Sequence, residues 1–330
     1  MANHIKYNPE YNQLSPKEND LLAIALKSVE RFVKKSPEIS HTNYATRNAH
    51  AKSYAYLNGK FIPDKSDELS ELFNSDQYKT TIRLSHANLK IASNDNQLPL
   101  FGFALKIILD DNVHINYPLV NFPVFITNSV SKFLKIFILT NQFFTTSLLA
   151  KSFKIIPLFI NVVKIVPEIL NRSFFKSITN WVKNYSHFIL ARDYYSIGVY
   201  RLGDYMVKIK LVPKNVNYNY KISHSIFENV KSYLEKNELI YDLFYEISEN
   251  EKNQPINKLT TIWKKTQFNK LGTLLIENII EDQDNKLEKL SFSPFDSPEE
   301  FQPVGRIQFL RKYVYMKSSE TRNLLNSIKE

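Results

Sequence analysis

Tyr44-Ala45-Thr46-Arg47-Asn48-Ala49-His50-Ala51-Lys52-Ser53-Tyr54-Ala55-Tyr56-Leu57-Asn58-Gly59-Lys60-Phe61-Ile62 is the stretch from which the fold can be read. β-forming residues flank Asn58-Gly59, a pair that favours the positive φ angles of a tight hairpin turn. The stretch therefore predicts a strand leading into a hairpin, with His50 on or just before that strand. Ala49, Ala51, Ser53 and Ala55 are small, so something bulky can lie close to the backbone there. A lone histidine on a strand is otherwise an ordinary core or surface residue, and this stretch alone leaves both readings open.

Further strand patterns lie at residues 80–85, 101–109, 121–126, 194–213, 239–247 and 274–280, with a short helix at 226–234. Many strands, few crossover helices and helices gathered toward the ends predict an α+β fold: an antiparallel β-barrel with helices packed around it. At the N-terminal end, Ser15-Pro16-Lys17-Glu18 is a capping box with proline at the first helical position. Leu21, Leu22, Ala25, Leu26, Val29, Phe32 and Val33 then form one apolar stripe. Residues 1–40 read as a helical arm and 41–330 as the main domain.

The 330 residues are 43% apolar and 23% charged, a globular composition. The net charge of +10 asks for an acidic partner. No dense Lys/Arg run or nucleic-acid module is present, which argues against nucleic acid. Much of the charge sits between residues 130 and 190, where Phe, Ile, Leu and Val dominate and Glu168 is nearly alone among lysines. Thr140, Asn141, Gln142, Thr145, Thr146 and Ser147 interrupt that segment, so it is not a span of ~20 apolar residues; Pro157 and Pro167 are expected to cut the rest into short helices. It reads either as packing helices with solvated lysines or as a basic, apolar face touching a membrane from outside. The absence of cysteine excludes disulfides, thiolate catalysis and thiolate metal ligands. The N-terminus lacks a charged-then-apolar signal pattern, so a cytoplasmic location, with peripheral membrane contact, is the expectation.

Residues 307–324 contain no helix breaker, and Pro303 and Gly305 mark the turn before them. At ~100° per residue, Arg311, Tyr315 and Arg322 fall within about 40° of one another. A neighbouring cation favours the ionised form of a phenol, and a phenolate in a protein commonly serves as a metal ligand, haem iron included. Arg and Tyr at i and i+4 equally describe a solvated surface ladder.

Together these segments resemble the catalase superfamily, in particular its small catalase-related haem peroxidases and allene oxide synthase-like members. Arg47-Asn48-Ala49-His50-Ala51-Lys52 resembles the family's Arg-x-x-His-Ala-Lys signature. Ile82-Arg83-Leu84-Ser85 resembles its Val-Arg-Phe-Ser strand, and Gly102-Phe103-Ala104-Leu105-Lys106 its Gly-Phe-Ala-Leu-Lys. Pro123-Val124-Phe125, Tyr200-Arg201-Leu202-Gly203-Asp204-Tyr205, Ser291-Phe292-Ser293-Pro294-Phe295 and Pro303-Val304-Gly305-Arg306-Ile307 follow in the family's order. The matches span about residues 47 to 322.

The resemblance implies haem b as cofactor, His50 as the distal acid/base and Tyr315 as the proximal iron ligand paired with Arg311. It implies Arg47, Arg83 and Arg322 as propionate-binding residues and Phe133 as the aromatic stacked on the haem. The family's distal asparagine falls on Val120, with Asn121 one residue later as the candidate replacement. Ala49, Ser53 and Phe101 also depart from the pattern. The implied function is a haem peroxidase acting on hydrogen peroxide or organic hydroperoxides. The alternatives are a fatty-acid hydroperoxide isomerase or dehydratase and a non-catalytic haem- or lipid-binding protein at a membrane surface. Membrane contact through residues 130–190 and a homodimer complete the expected partners.

Overall fold

The computed structural model describes residues 4–92, 95, 97–183, 188–216, 220 and 225–327. Ten strands form one sheet: β1 Ser53–Pro63, β2 Tyr78–His86, β3 Phe101–Asp110, β4 Val113–Val120, β5 Tyr194–Tyr195, β6 Val199–Leu202, β7 Tyr205–Pro213, β8 Leu239–Ile247, β9 Asn269–Ile280 and β10 Pro303–Val304. The helices are α1 Pro16–Ser40, α2 Val130–Thr145, α3 Leu148–Val163, α4 Val166–Ile169, α5 Arg172–Lys183, α6 Ile226–Leu234 and α7 Arg306–Ser327. The order β7-β5-β4-β3-β2-β1-β9-β8 closes on itself through β7–β8 pairing, and every pairing is antiparallel. The result is the expected closed eight-stranded barrel with helices around it. β6 and β10 continue the sheet outside the closure.

Alternation along each strand fills the barrel. Phe61, Ile82, Leu84, Phe103, Leu105, Tyr117, Tyr194, Tyr241 and Leu243 are all buried in one cluster, and the residues between them face outward. Outside the wall, Leu22 and Ala25 of α1, Val130, Leu134 and Ile138 of α2, and Ile307 and Leu310 of α7 form a second apolar cluster. Ser15 caps α1 with the full reciprocal box to Glu18, and Arg306 at the start of α7 ion-pairs with Glu18.

Three sequence expectations are corrected. Asn58-Gly59 is not a turn: β1 runs through it, paired with β2 on one side and β9 on the other. The register against β9 shifts at this pair, and a Cβ on Gly59 would lie 2.2 Å from the Leu275 carbonyl oxygen. The glycine therefore serves a bulge and a close backbone approach. Residues 121–126 form no strand, because Asn121 Oδ1 accepts from Phe101 N at 2.8 Å and ends the β3–β4 ladder. The strand there is β4, disguised by buried Asn116, whose Nδ2 donates to Ser293 O at 3.0 Å. Pro157 lies inside a continuous α3 and does not end it, whereas Pro167 does open a new helix.

Candidate active site

Two cross-strand rows on the outer face of β2, β3 and β4 make one wall of a cavity. Register aligns Arg83 with Ala104 and Pro118, and Ser85 with Gly102 and Val120. All six residues line the cavity, together with Asn48 and His50 from the segment before β1 and Phe137 from α2. α7 forms the facing side with Arg311, Tyr315, Ser318 and Arg322. Thus His50, Arg47, Arg83, Arg311, Tyr315 and Arg322, far apart in sequence, border a single space.

His50 is held on the barrel side by several constraints. Its φ is 52°, left-handed and sparsely populated for a side-chain-bearing residue. Arg83 Nη2 donates to its carbonyl at 2.7 Å, and Nδ1 lies 3.1 Å from Ser85 Oγ. A Cβ on Gly102 would come within 2.6 Å of Nδ1, so the ring occupies space that only glycine leaves. Burial, reinforced by the charges of Arg83, His86, Arg311 and Arg47, lowers the imidazole pKa to about 3. His50 is therefore neutral at physiological pH.

On the helix side, Arg311 Nη2 donates to Tyr315 Oη at 3.2 Å and Nη1 donates to Tyr200 Oη at 3.1 Å. Burial disfavours the Arg311 charge, but the two phenol oxygens outweigh it and hold the guanidinium pKa above its ordinary value. The one-turn spacing of Arg311 and Tyr315 thus becomes a directed hydrogen bond, braced from β6 by fully buried Tyr200.

The edge of the cavity gathers cations. Arg83 and Arg322 are 3% and 2% exposed. Burial, then Arg47, push Arg83 down to about 10; burial, then Arg47 and Arg83, push Arg322 well below the ordinary guanidinium value. Glu288 is the carboxylate that answers them: it ion-pairs with Arg47 and lies 3.7 Å from Arg83 Nη2. Tyr56 Oη donates to it at 2.9 Å, and Ser53 Oγ also bonds it. Among the described residues, Arg322 Nε has no hydrogen-bond partner. Two buried guanidinium groups and a partly exposed third, with Glu288 paired only to Arg47 and Arg83, make a site short of negative charge.

Two expected residues lie elsewhere. Asn121 does not line this cavity: its Nδ2 donates to Pro99 O at 2.7 Å while Oδ1 takes Phe101 N, so backbone consumes the amide. Phe133 packs edge-on against Phe125 and stacks on Phe137; Phe137, one turn further along α2, is the aromatic that reaches the cavity. Sequence reading gave no role to Asn48, yet it is 4% exposed, lines the cavity, and its Nδ2 has no partner among the described residues. Its place two residues before His50 was the available signal. Glu288 carried none, because its importance exists only after folding, and Tyr200 stood in a family-like segment without a role of its own.

A larger cavity of about 560 Å³ lies elsewhere, lined by Lys208, Glu246, Trp263 and Asn121 among others. Burial there raises the Glu246 pKa and lowers that of Lys208. The smaller cavity, about 170 Å³, is the one with an imidazole, an arginine-bonded tyrosine and surplus cations. Among the described residues no group of three or more His, Asp or Glu could hold a bare metal ion. The donor set instead suits a planar anionic ligand carrying its own metal: carboxylates for the arginines and a coordination position for Tyr315. The volume is below the ~300–1,000 Å³ of common ligand pockets.

No protein-family model matches the chain, and no curated protein matches it in sequence. Solved structures do match in fold. They include a fungal catalase, at TM-score 0.60 and 15% identity over 86% of this chain and 60% of that one. Catalase A from Saccharomyces cerevisiae matches at 0.60 and 15%, over 86% and 62%. A bacterial catalase matches at 0.56 and 14%, over 89% and 60%. The chain therefore has a catalase-like fold and spans about 60% of the length of these neighbours.

Proposed function

We propose that this protein is a haem-dependent peroxidase acting on hydrogen peroxide or organic hydroperoxides. The reading rests on one observation: a single cavity carries a neutral, half-buried imidazole on its barrel side and an arginine-bonded tyrosine on its helix side. Tyr315 would ligate the iron, and Arg47, Arg83 and Arg322 would take the propionates. Haem, when bound, supplies the redox chemistry that no side chain here provides.

The protein's own part is proton handling. With Nδ1–H donating to Ser85 Oγ, His50 Nε2 carries a lone pair and can accept the proton of a peroxide. Because burial destabilises the imidazolium, that proton is readily handed on to the departing oxygen, a transfer worth ~10²–10⁴-fold. Arg83, bonded to the His50 carbonyl, and Gly102, which leaves the ring its space, fix the geometry. Asn48 offers its unpartnered Nδ2 as the amide donor that Val120 lacks. Arg311 tempers the Tyr315 phenolate by sharing its charge.

The test is the visible spectrum of the haem-loaded protein before and after peroxide, for wild type and Tyr315→Phe. The expected result is a high-spin ferric spectrum in wild type that the variant loses, with peroxide-dependent dye oxidation in wild type alone. Identical spectra from both proteins would remove Tyr315 as ligand. The apolar lining by Leu119, Val120, Phe137 and Val314 favours a second reading, isomerisation of fatty-acid hydroperoxides. It holds if such substrates are turned over without any reductant and faster than hydrogen peroxide.

A further inference from the structure

Among the described residues, helices α3 to α5 leave many apolar side chains exposed. α2 is accounted for, because Val130, Leu134 and Ile138 are buried in the cluster shared with α1 and α7. Residues 184–187 lie outside the described residues. In α3, Leu149, Phe153, Ile156, Ile160 and Val163 recur at helical spacing within about 80° of one another. They are 85%, 79%, 65%, 47% and 47% exposed. Val166 and Leu170 follow at 38% and 60%, and Phe175, Ile178 and Val182 of α5 at 54%, 38% and 56%. Singly exposed apolar residues are ordinary; consecutive stripes of them mark an interaction surface.

Charge decides what covers the surface. Lys164, Arg172, Lys176 and Lys183 lie beside or between the stripes in sequence, and Glu168 is the one carboxylate between residues 148 and 183. Lys151 and Lys154 turn toward α2, with Lys151 Nζ over the Phe143 ring and Lys154 Nζ donating to Gln142 Oε1 at 3.1 Å. Glu168 is already engaged by Lys132 Nζ, Thr127 Oγ1 and Asn128 N, each at 2.7 Å. A second copy of this chain would bring the same cations against these and offer no free carboxylate in return. None of the described helices is long and apolar enough to cross a membrane, so the stripes are suited to lying along a bilayer surface. Apolar stripes edged by lysines fit acyl chains beneath anionic headgroups, where lysine stems extend outward to the phosphates.

We propose that α3, α4 and α5 dock this protein on an anionic lipid surface. This surface is independent of the haem reading. The test is flotation of the full-length protein with phosphatidylglycerol/phosphatidylcholine vesicles and with phosphatidylcholine vesicles alone. Wild type should float with the anionic vesicles and remain at the bottom with neutral ones. The variants Phe153→Ser/Ile156→Ser and Lys164→Glu/Lys176→Glu should each reduce the floating fraction at least tenfold, with unchanged circular dichroism. Failure of wild type to float with anionic vesicles overturns the proposal, as does equal flotation with both vesicle types. So does a dimer in sedimentation equilibrium that Phe153→Ser/Ile156→Ser dissociates, which would assign the face to a second copy.

Discussion

At the residue scale, the arginine cluster makes a prediction whose two readouts move in opposite directions. Arg322 sits buried beside Arg47 and Arg83 with its Nε unpartnered. Arg322→Leu should raise the melting temperature of the haem-free protein by removing a buried like-charge repulsion. The same change should weaken haem binding at least tenfold, measured by absorbance titration. Loss of both would make Arg322 merely structural. His50 gives a pH prediction. Its folded-state pKa of about 3 lies below the ordinary histidine value, so the unfolded chain binds the extra proton as pH falls from ~6.5. The stabilisation from neutral His50 is fully present above ~6.5 and is lost progressively as pH falls toward 3. Urea unfolding of wild type between pH 6.5 and 5 should show falling stability, and His50→Gln should flatten that slope. Local spacing brought Arg47 with His50 and Arg311 with Tyr315 but left an ordinary core or surface reading open; the ordered resemblance over residues 47–322 is what singled these residues out. Asn121 misled because sequence distance to Pro123 does not reveal that Phe101 N and Pro99 O claim its amide.

At the element scale, β1 shows where pattern reading runs out. Asn-Gly between β-formers signals a turn only when the two flanks pair with each other. Here both flanks pair with β2 and β9 instead, a non-local choice absent from the local pattern. Gly59 is still required, though for proximity to Leu275 and not for a turn. Gly59→Val should destabilise the protein by ~1–3 kcal/mol through overpacking at the β1–β9 seam, read from urea midpoints. An unchanged midpoint would mean the seam can open without consequence. α1 was readable from its apolar stripe and capping box, and α7 from its unbroken run after Pro303 and Gly305. β4 was not, since Asn116 is a buried polar residue whose Nδ2 donates to Ser293 O and whose backbone N donates to Ser297 Oγ, both on a distant segment.

At the scale of the whole molecule, the net charge of +10 is unevenly spread. Among the described residues, the lysines and arginine of α3 to α5 have no carboxylate partner, whereas Arg83 and Arg322 at the cavity are buried. Salt should therefore separate the two. Raising ionic strength to about 0.5 M shortens the screening length to roughly 4 Å and should abolish most vesicle association while leaving haem titrations nearly unchanged. If haem affinity fell as steeply as vesicle binding, the cavity arginines would be solvated in a way their burial denies.

The cavity is completed from both ends of the described chain: Arg47 and His50 stand on one side, and α7 brings Arg311, Tyr315 and Arg322 to the other. During synthesis at ~5–20 residues per second, these two sides are made on the order of tens of seconds apart. Throughout that interval the barrel wall can curl and pair, but the side of the cavity that carries Tyr315 does not yet exist. On the proposed haem reading, cofactor capture would follow the synthesis of α7. A nascent chain stalled before Arg306 should then leave haem in solution, read from the absorbance of the isolated stalled complex.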